Sequence, residues 1–368
     1  MIRRPRSTPA PRRAALAIAA GLALVACADE PELQRWRGAH LEYGHEPELT
    51  PCAGTRSHMD QVIPFYAAQL GLDPASFDTI TYAWLGDASW NELAPPNYRT
   101  FSGFAEGSRT IARGPRTVHE LVHAIVNQRT GGSGLTLFKE GIAVALEEEW
   151  DVDGFRYEPV DPRPQLGLPA SELNYTIAGA FAAYLLTRGG AERYLTLLER
   201  TREDTDRRRL DAVFDELYGA PVDAVVDDYL GAHACPEGAA PIPLPPSCMA
   251  PERPWADPGR RWALARLLSC DDDDAVGGVS HGENRDDAPL VTSATIVIDD
   301  PGDYRLRLVG DGAYLGLVRC GGCPFLRRDA SLPRAGELEL ELEAGPHALT
   351  IYADPEVESE VIVTLERD

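Results

Sequence analysis

Positive charge is scarce in this chain. Against 58 Asp and Glu stand 35 Lys and Arg, the net charge is −23 at pH 7, and Lys139 is the one lysine in 368 residues. With no basic field to displace counterions from phosphates, nucleic acid is excluded as a partner. Long apolar runs are missing too: beyond residue 26 none approaches the roughly 20 residues a membrane helix needs. The run Asp271 to Asp274 lacks the spacing of an EF-hand loop and reads as a solvated acidic turn. Cys320-Gly-Gly-Cys323 lacks the second cysteine pair of a zinc knuckle and the strand-to-helix setting of a thioredoxin-like motif, so a structural role is expected.

What is present begins with a leader-like segment. Arg3, Arg4, Arg6, Arg12 and Arg13 precede a short apolar run, Ala14 to Ala26. The run closes on Leu24-Val25-Ala26-Cys27, which is similar to a bacterial lipobox. That pattern implies removal of residues 1–26 and a lipid on Cys27, hence a cell-envelope protein, periplasmic or at the outer membrane, tethered to the membrane by acyl chains. An ordinary signal peptide with an incidental Cys is the alternative. Without the five leader arginines the remainder stands at −28, which suits a soluble body that repels its own copies. The other six cysteines are Cys52, Cys235, Cys248, Cys270, Cys320 and Cys323. An even count in an exported chain reads as disulfides, and the 15 possible pairings leave the connectivity open.

The chemistry-bearing stretch is Thr117 to Ala143. It holds His119-Glu120-Leu121-Val122-His123 and, 17 residues beyond, Glu140 within Phe-Lys-Glu-Gly-Ile-Ala. On a helix, His119 and His123 share a face one turn apart, so both imidazoles reach one metal ion. A catalytic Zn²⁺ takes three protein ligands and keeps a fourth position for water, which makes Glu140 the natural third ligand. Glu120 sits beside that face, where it can hold a metal-bound water without being a ligand. The competing reading is a capping box, Thr117 to Glu120, with Glu120 only closing a helix start. Val118, Leu121, Val122, Ile125 and Val126 predict a central buried helix, ended by Gly131-Gly132. Gly141, Ala143 and Ala145 are small enough for a second helix to approach the first closely. The run Glu147 to Glu149 reads as a solvated helix end, the alternative being a carboxylate that orients a metal-bound His.

These motifs resemble the gluzincin metallopeptidases, chiefly their peptidase MA-like group, which pair HExxH with a downstream Glu often set in W-L-x-E-G-x-A. Here Leu137-Phe138 stands where Trp-Leu is common. The resemblance covers about Arg109 to Leu230, roughly a third of the chain. It implies Zn²⁺ on His119, His123 and Glu140, Glu120 as general base on a zinc-bound water, and hydrolysis of peptide bonds in a peptide or protein substrate. It also matches Tyr175, leading the helix Asn174 to Leu186, to the Tyr that hydrogen-bonds the oxyanion in gluzincin aminopeptidases. In relatives an edge strand lies along the cleft, and Arg109 to Arg113 is the candidate here.

The expected fold is α+β. A zincin-like metallopeptidase domain (27–233), a small sheet plus a helical subdomain, is followed by a Pro-rich linker and acidic loop (234–280) and an antiparallel β-sandwich (281–368). Six strands are read in the last segment, from Thr292 to Leu365. Two other functions stay open: a non-catalytic envelope binding lipoprotein on a zincin scaffold, and a sandwich acting as a surface or carbohydrate adhesin. Substrate, endo- or exo-cleavage and oligomeric state are not legible.

Overall fold

A computed structural model describes residues 31–96, 98–147, 159–231, 244–257, 259–279, 289–321 and 330–367. The leader with Cys27, together with Cys235, Cys323, Glu148 and Glu149, lies outside the described residues. From Leu33 onward the chain forms one packed unit with two hydrophobic cores.

The first lobe is built on a five-stranded sheet. Its strands are β1 (Gln34–Arg37), β2 (Leu41–His45), β4 (Ile80–Trp84), β5 (Gly103–Glu106) and β6 (Arg109–Ala112), in the order β1-β2-β4-β6-β5. The strands β2, β4 and β6 run parallel, and β1 and β5 are added antiparallel at the edges. In β4 the side chains of Ile80, Tyr82 and Trp84 are buried and those between them are half-buried, the period of two that a strand imposes. Helices α1 (Thr55–Gln69) and α3 (Val118–Thr130) cover one face. Helix α2 (Asp87–Leu93) closes the other, where Trp90, Leu85 and Ile111 form a small separate cluster.

Four more helices complete the lobe: α4 (Thr136–Leu146), α5 (Tyr175–Arg200), α6 (Arg207–Tyr218) and α7 (Val222–Leu230). Helix α5 is kinked at Gly190, where φ is 74°. Gly141 permits the crossing of α4 and α5, since a Cβ there would meet the carbonyl oxygen of Ala178 at 2.7 Å, and a Cβ on Gly179 would collide with Val144. The small residue beside Glu140 therefore serves α5, not α3 as the sequence suggested.

The second lobe is sandwich-like, with two four-stranded antiparallel sheets. One is ordered β13 (Gly336–Leu342), β10 (Gly302–Val309), β15 (Ser359–Arg367), β7 (Arg261–Leu268). The other is β12 (Ala330–Leu332), β11 (Tyr314–Arg319), β14 (Gly345–Ala353), β9 (Leu290–Ile298). Trp262, Ile296, Tyr304, Leu306, Leu349 and Val363 fill the space between them. The sheet thus draws one strand, β7, from the stretch read as linker; Trp262, Leu264 and Leu268 alternate inward along it.

The lobes are joined near α1. Strand β3 (Thr50–Pro51) pairs with β8 (Gly278–Val279), Cys52 is bonded to Cys270, and the Thr55 hydroxyl donates to the carbonyl of Gly277 at 2.7 Å. A second disulfide joins Cys248 to Cys320, which removes Cys320 from any redox pair with Cys323. In the acidic turn, Asp272 and Asp274 are partnered by Arg266 at 2.6 and 2.7 Å, so the turn is an ion-pair cluster on the β lobe.

Candidate metal centre

Helix α3 starts after Thr117, whose side chain makes no cap hydrogen bond, so the capping-box alternative does not describe Glu120. Buried apolar side chains fix the helix against the sheet, and Gly131 ends it in the left-handed region at φ 59°. His119 and His123 then lie one turn apart, facing Glu140 of α4. Their donor atoms close a triangle. Nε2 of His119 and Nε2 of His123 are 3.2 Å apart, and Oε2 of Glu140 lies 3.2 Å from the first and 3.3 Å from the second.

Hydrogen bonding does not explain this triangle. Each Nε2 carries at most one proton, so one of the three contacts always stays unfavourable: two N–H groups face each other if both are protonated, and two lone pairs do if only one is. A tetrahedral ion with bonds of about 2.0–2.1 Å holds its ligands about 3.3 Å apart, which is the size observed. Among the described residues no other group of three His, Cys, Asp or Glu side chains converges in this way.

Glu147 completes the set. Its Oε2 lies 2.7 Å from Nδ1 of His119, with 20% of the side chain exposed. An Nδ1–H donating there turns the Nε2 lone pair toward Glu140 and His123. This side chain is therefore not part of a solvated helix end. Helix α4 stops at Leu146, whose carbonyl accepts from the Tyr66 hydroxyl, and the extended backbone at Glu147 returns the carboxylate to the site.

Burial opposes a charge on His119, but the carboxylates of Glu147, Glu140 and Glu120 outweigh it and hold its pKa well above the usual range. Glu140 experiences the reverse: burial raises it, and the two imidazoles outweigh that and hold it well below. The carboxylates thus favour positive charge at this point, which is what a cation supplies. Burial raises Glu120, with the His charges pulling the other way.

The triangle sits at the floor of a cleft of about 480 Å³. Glu120 and Tyr175 both line it, with the Tyr175 ring 5.9 Å from that of His119. Tyr175 is the first residue of α5, aimed by Asn174, whose side chain accepts from the backbone N–H of Ile177. Burial and the charges of Glu140 and Glu120 raise its pKa, so it is a neutral donor.

The opposite wall is β5, not the stretch Arg109 to Arg113. Strand β6 lies inside the sheet, and β5 is the edge. The Arg113 N–H donates to the Ser102 carbonyl, and by this register Gly103 and Ala105 turn their own N–H and C=O groups to the outer edge. Gly103 lies against Glu120: a Cβ there would fall 2.5 Å from Glu120 Cγ. Tyr98, Phe101 and Phe104 also line this side, their rings 5.4–5.9 Å apart. Tyr98 was not singled out in the sequence; the only cue was an aromatic following Pro95-Pro96 in a loop.

No family model matches the chain, and no curated protein matches it. Parts of it are similar to solved structures. The isomalto-dextranase of Arthrobacter globiformis T6, complexed with panose, aligns at 12% identity over 31% of this chain and 24% of its own, with a TM-score of 0.19. A mutant of the carbohydrate-binding module CBM29-2 aligns at 10% identity over 30% and 82%, TM-score 0.16. The Fe(II) form of HppE aligns at 16% identity over 50% and 89%, TM-score 0.14. This chain spans about a quarter of the length of the first. Overlaps with such TM-scores lend nothing to a functional assignment.

Proposed function

We propose that the chain is a zinc-dependent hydrolase of peptide bonds with a gluzincin-like first lobe, held in the cell envelope as a lipoprotein anchored at Cys27. The observation that carries this reading is the triangle of His119, His123 and Glu140 with Glu120 and Tyr175 in the same cleft. A zinc ion on those three side chains would lower the pKa of a water and polarise a carbonyl. Glu120 takes the proton of an attacking water and hands it to the departing amine. Tyr175 donates its hydroxyl proton in a hydrogen bond to the substrate oxygen as charge develops there. Glu147 keeps His119 in the tautomer that leaves Nε2 free. The outward backbone groups of Gly103 and Ala105 suit pairing with an extended peptide. Two disulfides fit an oxidising compartment.

The test is metal analysis of the purified chain together with peptide-library cleavage by wild type and Glu120→Gln. One bound zinc in both proteins, and cleavage that a chelator abolishes and Glu120→Gln reduces by about 10²–10⁴-fold, are expected. Zinc binding with no cleavage of any peptide by the wild type would sink the reading and leave a binding protein.

A further inference from the structure

The seam between the lobes holds a second, partly open cavity, of about 200 Å³. Arg116 lines it and is 6% exposed, the one buried Lys or Arg among the described residues. Glu46, a buried charge on the same lobe, has partners: it accepts from the backbone N–H of Gly86 at 2.6 Å. The guanidinium of Arg116 has no hydrogen bond or ion pair among the described residues. An isolated buried cation is costly, and folded chains meet that cost with a counter-charge.

A second group in the same wall is also without a partner. Ser247 is 3% exposed, and its buried Oγ has no hydrogen bond. It lies on the short turn Pro246–Met249, beside Cys248, which the disulfide to Cys320 holds in place. His58 and Gln61 of α1 face the same space. Neither acid at its rim forms an ion pair with Arg116. Asp274 is engaged by Arg266 and by the Thr292 hydroxyl, and Asp273 is exposed and forms no ion pair with Arg116.

Arg116 is also held in a fixed frame. The Tyr43 hydroxyl donates to the Pro115 carbonyl at 2.8 Å and the Tyr82 hydroxyl to the Gly114 carbonyl at 2.6 Å, while the Thr117 N–H donates back to Tyr82 at 2.9 Å. Three bonds, on Gly114, Pro115 and Thr117, fix the backbone on both sides of Arg116, just ahead of α3. The backbone that carries Arg116 is thus set in advance, in a cavity wall that also holds Ser247. A guanidinium fork matches the paired oxygens of a carboxylate or phosphate.

We infer that the seam cavity binds a small oxyanion, of the phosphate or carboxylate class, through Arg116 and Ser247, and that the bound anion fastens the β lobe to the base of α3. This is separate from the chemistry of the cleft. The test uses the full chain, stripped of metal by a chelator so that the cleft does not take up the anion. Thermal unfolding is followed in chloride, phosphate and acetate at equal ionic strength and pH 7.5. The wild type is expected to melt roughly 2–5 °C higher in phosphate or acetate than in chloride. The larger of the two shifts identifies the class. Arg116→Met is expected to lose the shift and, in chloride, to melt no lower than the wild type, because it removes an unpaired cation. A lower melt of Arg116→Met in chloride, or a shift that persists in it, overturns the proposal. If that variant does not fold, Ser247→Ala must reduce the shift, and inorganic phosphate must show ³¹P line broadening with the wild type or acetate must show saturation transfer from it. Absence of both signals overturns the proposal.

Discussion

The carboxylate of Glu147 lies 2.7 Å from Nδ1 of His119, on the side of the ring away from the donor triangle. A His ligand whose second nitrogen is so held is more basic and has one orientation. Replacing Glu147 with Ala should weaken zinc binding by about 10–100-fold. Competition against a chromophoric chelator measures this directly; an unchanged affinity would show that Glu147 is incidental.

Gly103 and Glu120 form a second such pair. Because a Cβ on Gly103 falls 2.5 Å from Glu120 Cγ, Gly103→Ala must displace either the strand or the Glu120 side chain. The three donor atoms are untouched. The expected result is full zinc occupancy with cleavage reduced by about tenfold or more, as a misplaced catalytic group costs. Loss of zinc in this variant would mean that the damage had spread to α3.

His58 gives a pH dependence away from the metal. Burial and the nearby charge of Arg116 push its pKa down to about 4 from its ordinary 6.5. Folding therefore favours the neutral imidazole. The stability it supports is complete above about pH 6.5 and is lost as the pH falls toward 4, where the unfolded chain binds the proton more readily. Melting temperature measured from pH 4 to 8 should fall on the acid side more steeply for wild type than for His58→Gln. Parallel curves would refute the assignment.

Cys52 and Cys270 are 218 residues apart in sequence, so their bond closes most of the described chain into a loop. Removing it as Cys52→Ser with Cys270→Ser should cost about 2–4 kcal/mol. Denaturant unfolding of the double variant against wild type measures this. Since the bond adjoins the β3–β8 pairing, the two lobes should unfold in separate transitions once it is gone.

Much of the centre was legible because helical geometry makes it so. His119 and His123 are forced onto one face by their spacing, and Glu140 follows in a helix whose pattern is plain. Tyr175 opens a helix with a clear Asn cap. The parts that escaped depend on where the chain stops being regular. Glu147 reaches His119 only because α4 ends one residue earlier, and a run of three acids otherwise signals solvent. Strand candidates in Asn97 to Arg113, with breaks at Ser102-Gly103 and Glu106-Gly107, were legible, but not which one forms the edge: Gly103 makes room for Glu120 and Gly107 turns the hairpin. Strand β7 adjoins a proline-rich stretch that masked its alternation. The pairing of Cys52 with Cys270 had no local signal, because only the tertiary fold brings residues so distant together.

The crossing of α4 on α5, glycine against backbone at Gly141 and Val144 against glycine at Gly179, leaves no slack between the helix that carries Glu140 and the helix that begins with Tyr175. Tyr194 adds a 2.9 Å hydrogen bond to the Phe138 carbonyl across the same contact. Carboxylate and phenol therefore travel as one rigid plate. Any widening of the groove falls to the facing bank, the aromatic loop and hairpin from Tyr98 to Glu106.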